Sequence, residues 1–402
     1  MKSDVSGAEL QVYSIRWAIL VMFIFSGAAN ALVLLSFAPI TDLANTYWND
    51  IGTTAINLFA VSFQIMYLPG TILALYISSK YNLRMIMLCG GLLTTVGCGL
   101  RFAGIAFVAS GLNLSGSYVL VLLGTMLVAL AQPFYINMPA KIAASWFAVK
   151  ERDISTTLCS LANPLGSAIG SFIPALLVTS ENDDGSGPIH GMQNLVLVHL
   201  LVSAAALFIT FVAFRSAPPK PPSYSAMQME NNKAAADRKG MGHAIKELLC
   251  NKNYLCLLFS FTVVLSNLNA LAALLNQLPG GHSNTQAGLC GTVLILSGFF
   301  GALITGVVLD FTKSYRTIIT VAYVTAMLSW GMFMASCGDD QVTFFIISAS
   351  ILGFTLLPTS KYAVLVGVLL GYWLGLGLGL DILPVYTCRY KLHIIRLIGI
   401  CL

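Results

Sequence analysis

The spacing with the clearest chemical content is Gly306-x-x-x-Asp310-x-x-Lys313-x-x-Arg316, set between two long apolar runs. A glycine lets two helices approach closely. An aspartate beside it can bond helix ends and cations, and the two cations that follow complete a charged cluster. Such a cluster would hold one state of a gate and release it in the other. The competing reading is an ordinary charged loop. The corresponding loop in the first half, Ser78-Ser79-Lys80-Tyr81-Asn82-Leu83-Arg84, keeps the cations but has no aspartate, so a symmetric gate is not expected.

A second set of residues is polar where the sequence is otherwise apolar: Asn30, Gln64, Gln132, Asn163, Asn267 and Asn269. An amide in hydrocarbon needs a partner, either another helix or a solute. Asn30-Ala31-Leu32 recurs as Asn269-Ala270-Leu271, at a similar depth in its own run. Asn30 and Asn269 are therefore the first candidates to line a solute cavity, with Gln132 and Asn163 beside them. Bonding between helices is the competing reading at each position. No HExxH, no GxSxG and no paired carboxylates occur within the apolar runs, so neither an enzyme nor a metal or other cofactor is expected. The nine cysteines are scattered without a CxxC pair and read as packing residues.

The elements that position these residues follow from composition. Of 402 residues, 57% are hydrophobic and 9% charged, with a mean hydropathy of +0.82 and a net charge of +5. A soluble domain carries about 25% charged residues because its surface is wet. The bilayer is the main solvent here, and at about 20 residues per span the length suits roughly ten to twelve crossings. Spans are expected at 17–40, 55–77, 85–109, 118–139, 155–178 and 195–214, then at 254–278, 287–309, 317–337, 342–358 and 362–383. The stretch between the two groups opens with Pro218-Pro219-Lys220-Pro221-Pro222, turns charged, and reads as a linker.

Loop charges support ten of these crossings. With the N-terminus in the cytoplasm, Arg16, Lys80, Arg84, Lys141, Lys150, Arg152, the seven Lys/Arg of the linker and its flanks, Lys313, Arg316 and Lys361 are all inside. The opposite loops carry Asp42, Asp50, Glu181, Asp183, Asp184, Asp339 and Asp340; only Arg101 sits near the outer end of a span. The sequon Asn113-Leu114-Ser115 falls outside. The eleventh span breaks the rule, because Arg389, Lys391 and Arg396 would lie outside. The expected organisation is an N-terminal six-helix half (1–214), a cytoplasmic linker (215–253), helices 7–10 of a C-terminal half (254–364) and a divergent hydrophobic and basic tail (365–402). The fold class is an all-α membrane protein of two six-helix halves, the second truncated or altered. The expected partners are the lipid bilayer and a small-molecule solute, with no nucleic acid and no second copy. The expected location is the plasma membrane or an organelle membrane.

Particular residues also carry a resemblance. They are Leu35-Ser36-Phe37-Ala38-Pro39, Ala131-Gln132-Pro133-Phe134, Pro139-Ala140-Lys141, Trp146-Phe147, Lys150-Glu151-Arg152, Asn163-Pro164-Leu165-Gly166 and Gly306-Val307-Val308-Leu309-Asp310. Over residues 15–364 the chain resembles the feline leukaemia virus subgroup C receptor-related family of major facilitator transporters, closest to its least characterised branch. The resemblance implies the major facilitator fold and alternating-access transport of a small organic solute. By analogy with better-known branches that solute is a choline- or ethanolamine-like amine, or haem. It also implies that Gly306, Asp310, Lys313 and Arg316 form the superfamily's cytoplasmic gate motif. The positions that carry aromatic residues facing a quaternary ammonium in choline-transporting relatives align with Leu34 and Asn269, and Pro164 stands where those relatives have a glutamine. A choline site of that kind is thus not carried over. Phe37 and Tyr67 are candidate substitutes, packing being the competing reading. Haem would need an axial ligand; His199 lies in a span, where a buried hydrogen-bonding role is the commoner one. The resemblance is expected to end after Val364, which makes a non-transporting or regulatory truncated form the alternative reading.

Overall fold

The computed structural model describes residues 11–110, 113–178, 187–223, 250, 255, 266, 269–272, 274, 284–312, 315–336 and 342–355. Among the described residues regular structure is helical throughout. The first half follows the expected order of spans. They are α1 (Ile15–Ala31) with a short α2 (Thr41–Tyr47), then α3 (Thr53–Lys80), α4 (Leu83–Ala106) and α5 (Leu114–Ala131) continued by α6 (Pro133–Ile136). After α7 (Pro139–Trp146) come α8 (Arg152–Ser160) and α9 (Ala162–Leu177), which share one span, and α10 (Gly187–Ala213). Five spans, Thr53–Lys80, Leu83–Ala106, Leu114–Ile136, Ile154–Leu177 and His190–Ala213, are long and apolar enough to cross a bilayer, and Ile15–Ala31 is a shorter apolar helix.

The first span differs from the single helix expected over 17–40. Beyond Ala31 the backbone bonds shift from i→i−4 to i→i−3: Val33 N–H to Asn30 O, Leu34 to Ala31, Ser36 to Val33, Ala38 to Leu35 and Ile40 to Phe37. The chain tightens into 3₁₀ geometry, a form that runs only a few residues before it ends. Two side chains account for this. Ser36 Oγ donates to Val33 O at 2.8 Å, competing for the carbonyl that an α-helix would use. Pro39 has no N–H and sits in the first positions of the 3₁₀ turn Ala38–Ile40. Prolines break two further spans. Pro133 separates α5 from α6, and Pro164 follows the one-residue break at Leu161 between α8 and α9.

Small residues set the close packing. Glycines recur every seven positions along α4, at Gly90, Gly97 and Gly104, and face α5 and α6. A Cβ on Gly97 would stand 2.5 Å from the carbonyl oxygen of Gly124, and the reverse holds. The two backbones touch there, the geometry that glycine permits in membranes.

The second half contributes α11 (Asn284–Thr312), α12 (Tyr315–Ser336) and α13 (Val342–Thr355). They match the spans expected at 287–309, 317–337 and 342–358. Of the expected span 254–278 the described residues are helical. The expected span 362–383, the tail and most of the linker lie outside the described residues. The halves meet where α9 crosses α11. Gly288 lies against Ala175, Thr292 Oγ1 donates to Ala168 O at 3.2 Å, and Ser171 Oγ donates to Gly288 O at 3.4 Å. Leu35 and Ala168 from the first half share one apolar cluster with Leu271, Leu294, Phe333 and Phe345 from the second.

One end of the bundle is basic. Arg16 grips both carboxylate oxygens of Glu151, through Nε at 3.1 Å and Nη2 at 3.0 Å. The chain after α10 folds back over this end. Gln11 N–H donates to Pro221 O at 3.4 Å, Arg84 N–H to Ser216 Oγ at 3.2 Å, and Arg152 Nη2 to Ser223 Oγ at 2.6 Å. At the opposite end Phe37, Tyr47, Trp48, Phe59 and Tyr118 pack ring against ring, with Phe37 and Phe59 centroids 4.8 Å apart.

Candidate functional site

The helix breaks fall at or next to three of the expected amides. Asn30 is the penultimate residue of α1 and is 1% exposed. Its Nδ2 donates to Thr94 Oγ1 at 3.0 Å and to Val128 O at 2.9 Å, tying α1 to α4 and α5. Both N–H groups are therefore engaged between helices, and none of these bonds reaches Asn269. Only Oδ1 is left, buried without a partner among the described residues. Gln132 occupies the residue between α5 and α6 and is nearly buried. Asn163 is half-buried at the second position of α9. Neither amide makes a side-chain hydrogen bond among the described residues, which sets them apart from Asn30. Asn269 is half-buried and helical. Gln64 is exposed on α3, and Asn267 lies outside the described residues.

Leu34 is half-buried on the tightened stretch after α1. It lines a small cavity with Phe37, Ala38, Thr41, Ile56 and Phe59. Phe37 itself is engaged. Its ring packs against Trp48 at 5.7 Å and Phe59 at 4.8 Å, and a guanidinium lies 4.8 Å from its centroid. Tyr67 on α3 donates to Asn137 Oδ1 at 3.2 Å. His199 is buried within α10 with neither ring nitrogen bonded among the described residues. Enclosed in this way, it offers no open coordination position of the kind a haem ligand needs.

The gate motif brackets the link between α11 and α12. Gly306 and Asp310 fall in the last turns of α11 and Arg316 in the first turn of α12. Lys313 lies outside the described residues. In the first half Lys80 Nζ donates to Tyr76 OH at 2.6 Å, and Lys141 Nζ donates to Ser78 O at 3.1 Å.

The residue that sequence reasoning passed over is Arg101. Counted as a charge near the outer end of a span, it is fully buried in the bundle. Nη2 donates to Ser36 Oγ at 2.8 Å, Nη1 donates to Thr125 Oγ1 at 3.3 Å, and the guanidinium is the one over Phe37. No carboxylate is paired with it among the described residues. The signal was in the sequence: a cation inside an apolar run is expensive and marks a working position unless shown otherwise. Here it holds the tightened end of the first span against α4 and α5.

Two helical halves meeting at a seam of small residues, with helices broken at membrane depth and amides at the breaks, are the build of a secondary transporter. The chain belongs to the Major Facilitator Superfamily, whose sequence profile matches residues 18–380, beyond Val364. Members of that family are transporters, not enzymes. The chain is 26% identical over 352 residues to solute carrier family 49 member A3 of Xenopus tropicalis, covering 86% of this chain and 69% of the relative. It is 24% identical over 352 residues to the choline/ethanolamine transporter FLVCR2 of Rattus norvegicus, covering 86% of this chain and 62% of that one. Its fold resembles the partially occluded inward-open xylose transporter XylE of E. coli, with a TM-score of 0.64 at 14% identity, covering 89% and 85% of the two chains.

Proposed function

We propose that this chain, acting as a monomer, carries a small organic amine across a membrane by alternating access, with its basic end in the cytoplasm. The observation that supports this most is the pair of amides, Gln132 and Asn163, placed at the two proline-associated helix breaks and unbonded among the described residues. Irregular backbone at membrane depth is tolerated where it is buried in protein or lines a cavity. Solute sites of such folds lie near the midplane between the repeats. Asn269 is offered as the second-half counterpart on the sequence repeat Asn30-Ala31-Leu32 and Asn269-Ala270-Leu271, and Asn30 ties α1 to α4 and α5.

The chemistry favours an amine that still carries N–H groups. An amide oxygen accepts a hydrogen bond from a primary ammonium. A quaternary ammonium has no N–H to give and relies on aromatic faces. Phe37, the aromatic side chain nearest Leu34 in sequence, is occupied by Arg101, Trp48 and Phe59. The relative FLVCR2 is named for both choline and ethanolamine. For this chain we infer the ethanolamine-like class.

The test is uptake of radiolabelled ethanolamine and choline by liposomes containing the purified full chain. Saturable ethanolamine uptake that exceeds choline uptake, and that falls severalfold in Gln132→Ala and Asn163→Ala, is expected. Choline entering faster than ethanolamine would overturn the amine class. No flux of either amine would overturn the amine reading.

A further inference from the structure

The outward faces of α4 and α10 do not close on each other. Between them runs a groove of about 480 Å³, lined by Leu88, Leu92, Leu207, Phe208 and Phe211 with Thr95 at its inner end. Its walls are open to the hydrocarbon: Leu92 is 55% exposed, Phe208 67% and Phe211 63%. The α4 wall begins one turn above Arg84 at the basic end of the bundle. Thr95 stands eleven residues beyond Arg84 on the same helix, which is about 16 Å at 1.5 Å per residue. The hydrocarbon of one leaflet is about 15 Å deep, half of the roughly 30 Å core. The groove therefore has the depth of a single acyl layer and stops at the bilayer midplane.

The mouth of this groove is cationic. Arg84 Nη2 donates to the Phe211 carbonyl at 2.6 Å, one of the carbonyls left without a helical partner at the end of α10. That bond fixes the guanidinium at the rim, with Nε and Nη1 making no hydrogen bond among the described residues. Arg215 is exposed two residues after α10, and its neighbour Ser216 accepts a bond from Arg84 N–H at 3.2 Å. Two guanidinium groups thus stand at headgroup level over an apolar slot one leaflet deep. Guanidinium groups bind phosphate oxygens in paired, directional bonds. A sterol hydroxyl is a single neutral acceptor and would leave most of these donors unused.

We propose that the α4–α10 groove is a binding site for an anionic phospholipid of the leaflet at the basic end, with one acyl chain along Leu88, Leu92 and Phe208 and its phosphate between Arg84 and Arg215. The site rests on the membrane crossing alone and not on any transported solute, so it stands or falls separately from the transport reading.

Native mass spectrometry of the purified full chain tests it, with palmitoyl-oleoyl phosphatidylserine and palmitoyl-oleoyl phosphatidylcholine offered together. The expected result is one retained phosphatidylserine, preferred about tenfold over phosphatidylcholine, since each cation near the surface favours an anionic lipid. In Arg84→Gln/Arg215→Gln the preference collapses to near parity. Leu92→Trp, which fills the slot and leaves both cations, reduces retention of either lipid. Lys150→Gln, exposed at the same end on the link between α7 and α8, leaves the preference intact. Should the double variant fold poorly, Arg215→Gln alone still lowers the preference, because that side chain makes no hydrogen bond among the described residues. Equal retention of the two lipids by the unaltered chain overturns the proposal. So does an equal loss of preference in Lys150→Gln, which would mean diffuse attraction and no site.

Discussion

Arg101 Nη2 donates to Ser36 Oγ at 2.8 Å, and through that bond α4 holds the one stretch of the first span that is not an α-helix. Ser36 in turn donates to Val33 O, so the guanidinium reinforces the side chain that disrupts the α-helical ladder. A buried charge with hydroxyl partners and no carboxylate is costly to keep. Its position against a tightened, proline-ended stretch makes that stretch a candidate hinge.

Arg101→Met removes the charge and keeps most of the volume. Both hydroxyls retain an acceptor, Ser36 at Val33 O and Thr125 at Val121 O, so neither is left unsatisfied. Global stability should change little, by less than about 1.5 kcal/mol for a volume-conserving swap. The loss should be local: backbone amides of residues 33–40 exchange with deuterium about tenfold faster, since local opening governs exchange. Unchanged exchange in that segment, in a protein that still unfolds at its usual temperature, would mean that Arg101 does not hold the hinge.

Asn30 and Gln132 should separate stability from transport. Removing the Asn30 amide strands the buried Val128 carbonyl and withdraws a donor from Thr94. Asn30→Ala should destabilise by about 1–3 kcal/mol, the cost of unmet buried polar groups. Gln132→Ala breaks no side-chain bond among the described residues and should leave the unfolding temperature within a degree or two while lowering uptake. Thermal unfolding in detergent and uptake in liposomes, read on both variants, check the pair. The reverse pattern would reassign the two amides.

Arg16 and Glu151 form a two-point grip that ties the start of α1 to the link before α8, flanked by the Trp17 and Phe147 rings 5.2 Å apart. Glu151 is about a third exposed, so water screens the pair. A double-mutant cycle of Arg16→Met and Glu151→Gln, followed by thermal unfolding, should give a coupling of about 1 kcal/mol, at the upper end for exposed pairs because the geometry is bidentate. The coupling should shrink in high salt. A salt-independent value would point to the aromatic stack and not to the charges.

The bundle was legible because its causes are local and repeated. Runs of about 20 apolar residues placed four of the six first-half spans, and those at α11, α12 and α13, to within a few residues, while the first helix ends nine residues early at Ala31 and α10 begins eight residues early at Gly187. What the sequence hid was pairwise. Nothing in the run from 17 to 40 says that Ser36 meets an arginine 65 positions away, and without that contact Pro39 looks like the end of one helix. Asn30 and Gln132 are alike as letters, yet one is bonded on both N–H groups and the other makes no such bond, because only the crossing of α1, α4 and α5 decides which amide meets a partner. Arg101 was visible as a charge in an apolar run, but its burial depends on the glycines that draw α4 onto α5, and that seam is a property of two helices together.

The gate motif yields the last prediction. Asp310 lies in the last turn of α11 and Arg316 in the first turn of α12, and the matching link in the first half, at Lys80 and Arg84, has no acid. If the acid holds one state of the gate, removing it shifts the balance of states without touching the solute pocket. In Asp310→Asn the maximal uptake rate should fall by about tenfold, a shift of roughly 1.4 kcal/mol in the equilibrium, while the half-saturating concentration moves much less. A change of Lys80 to Gln should have a far smaller effect, because Lys80 already bonds Tyr76 in its own helix. Initial-rate uptake over a range of ethanolamine concentrations reads both parameters. An Asp310→Asn variant with an unchanged maximal rate would reduce the motif to an ordinary charged loop. A rise in half-saturation with an unchanged rate would place Asp310 in the solute path instead of the gate.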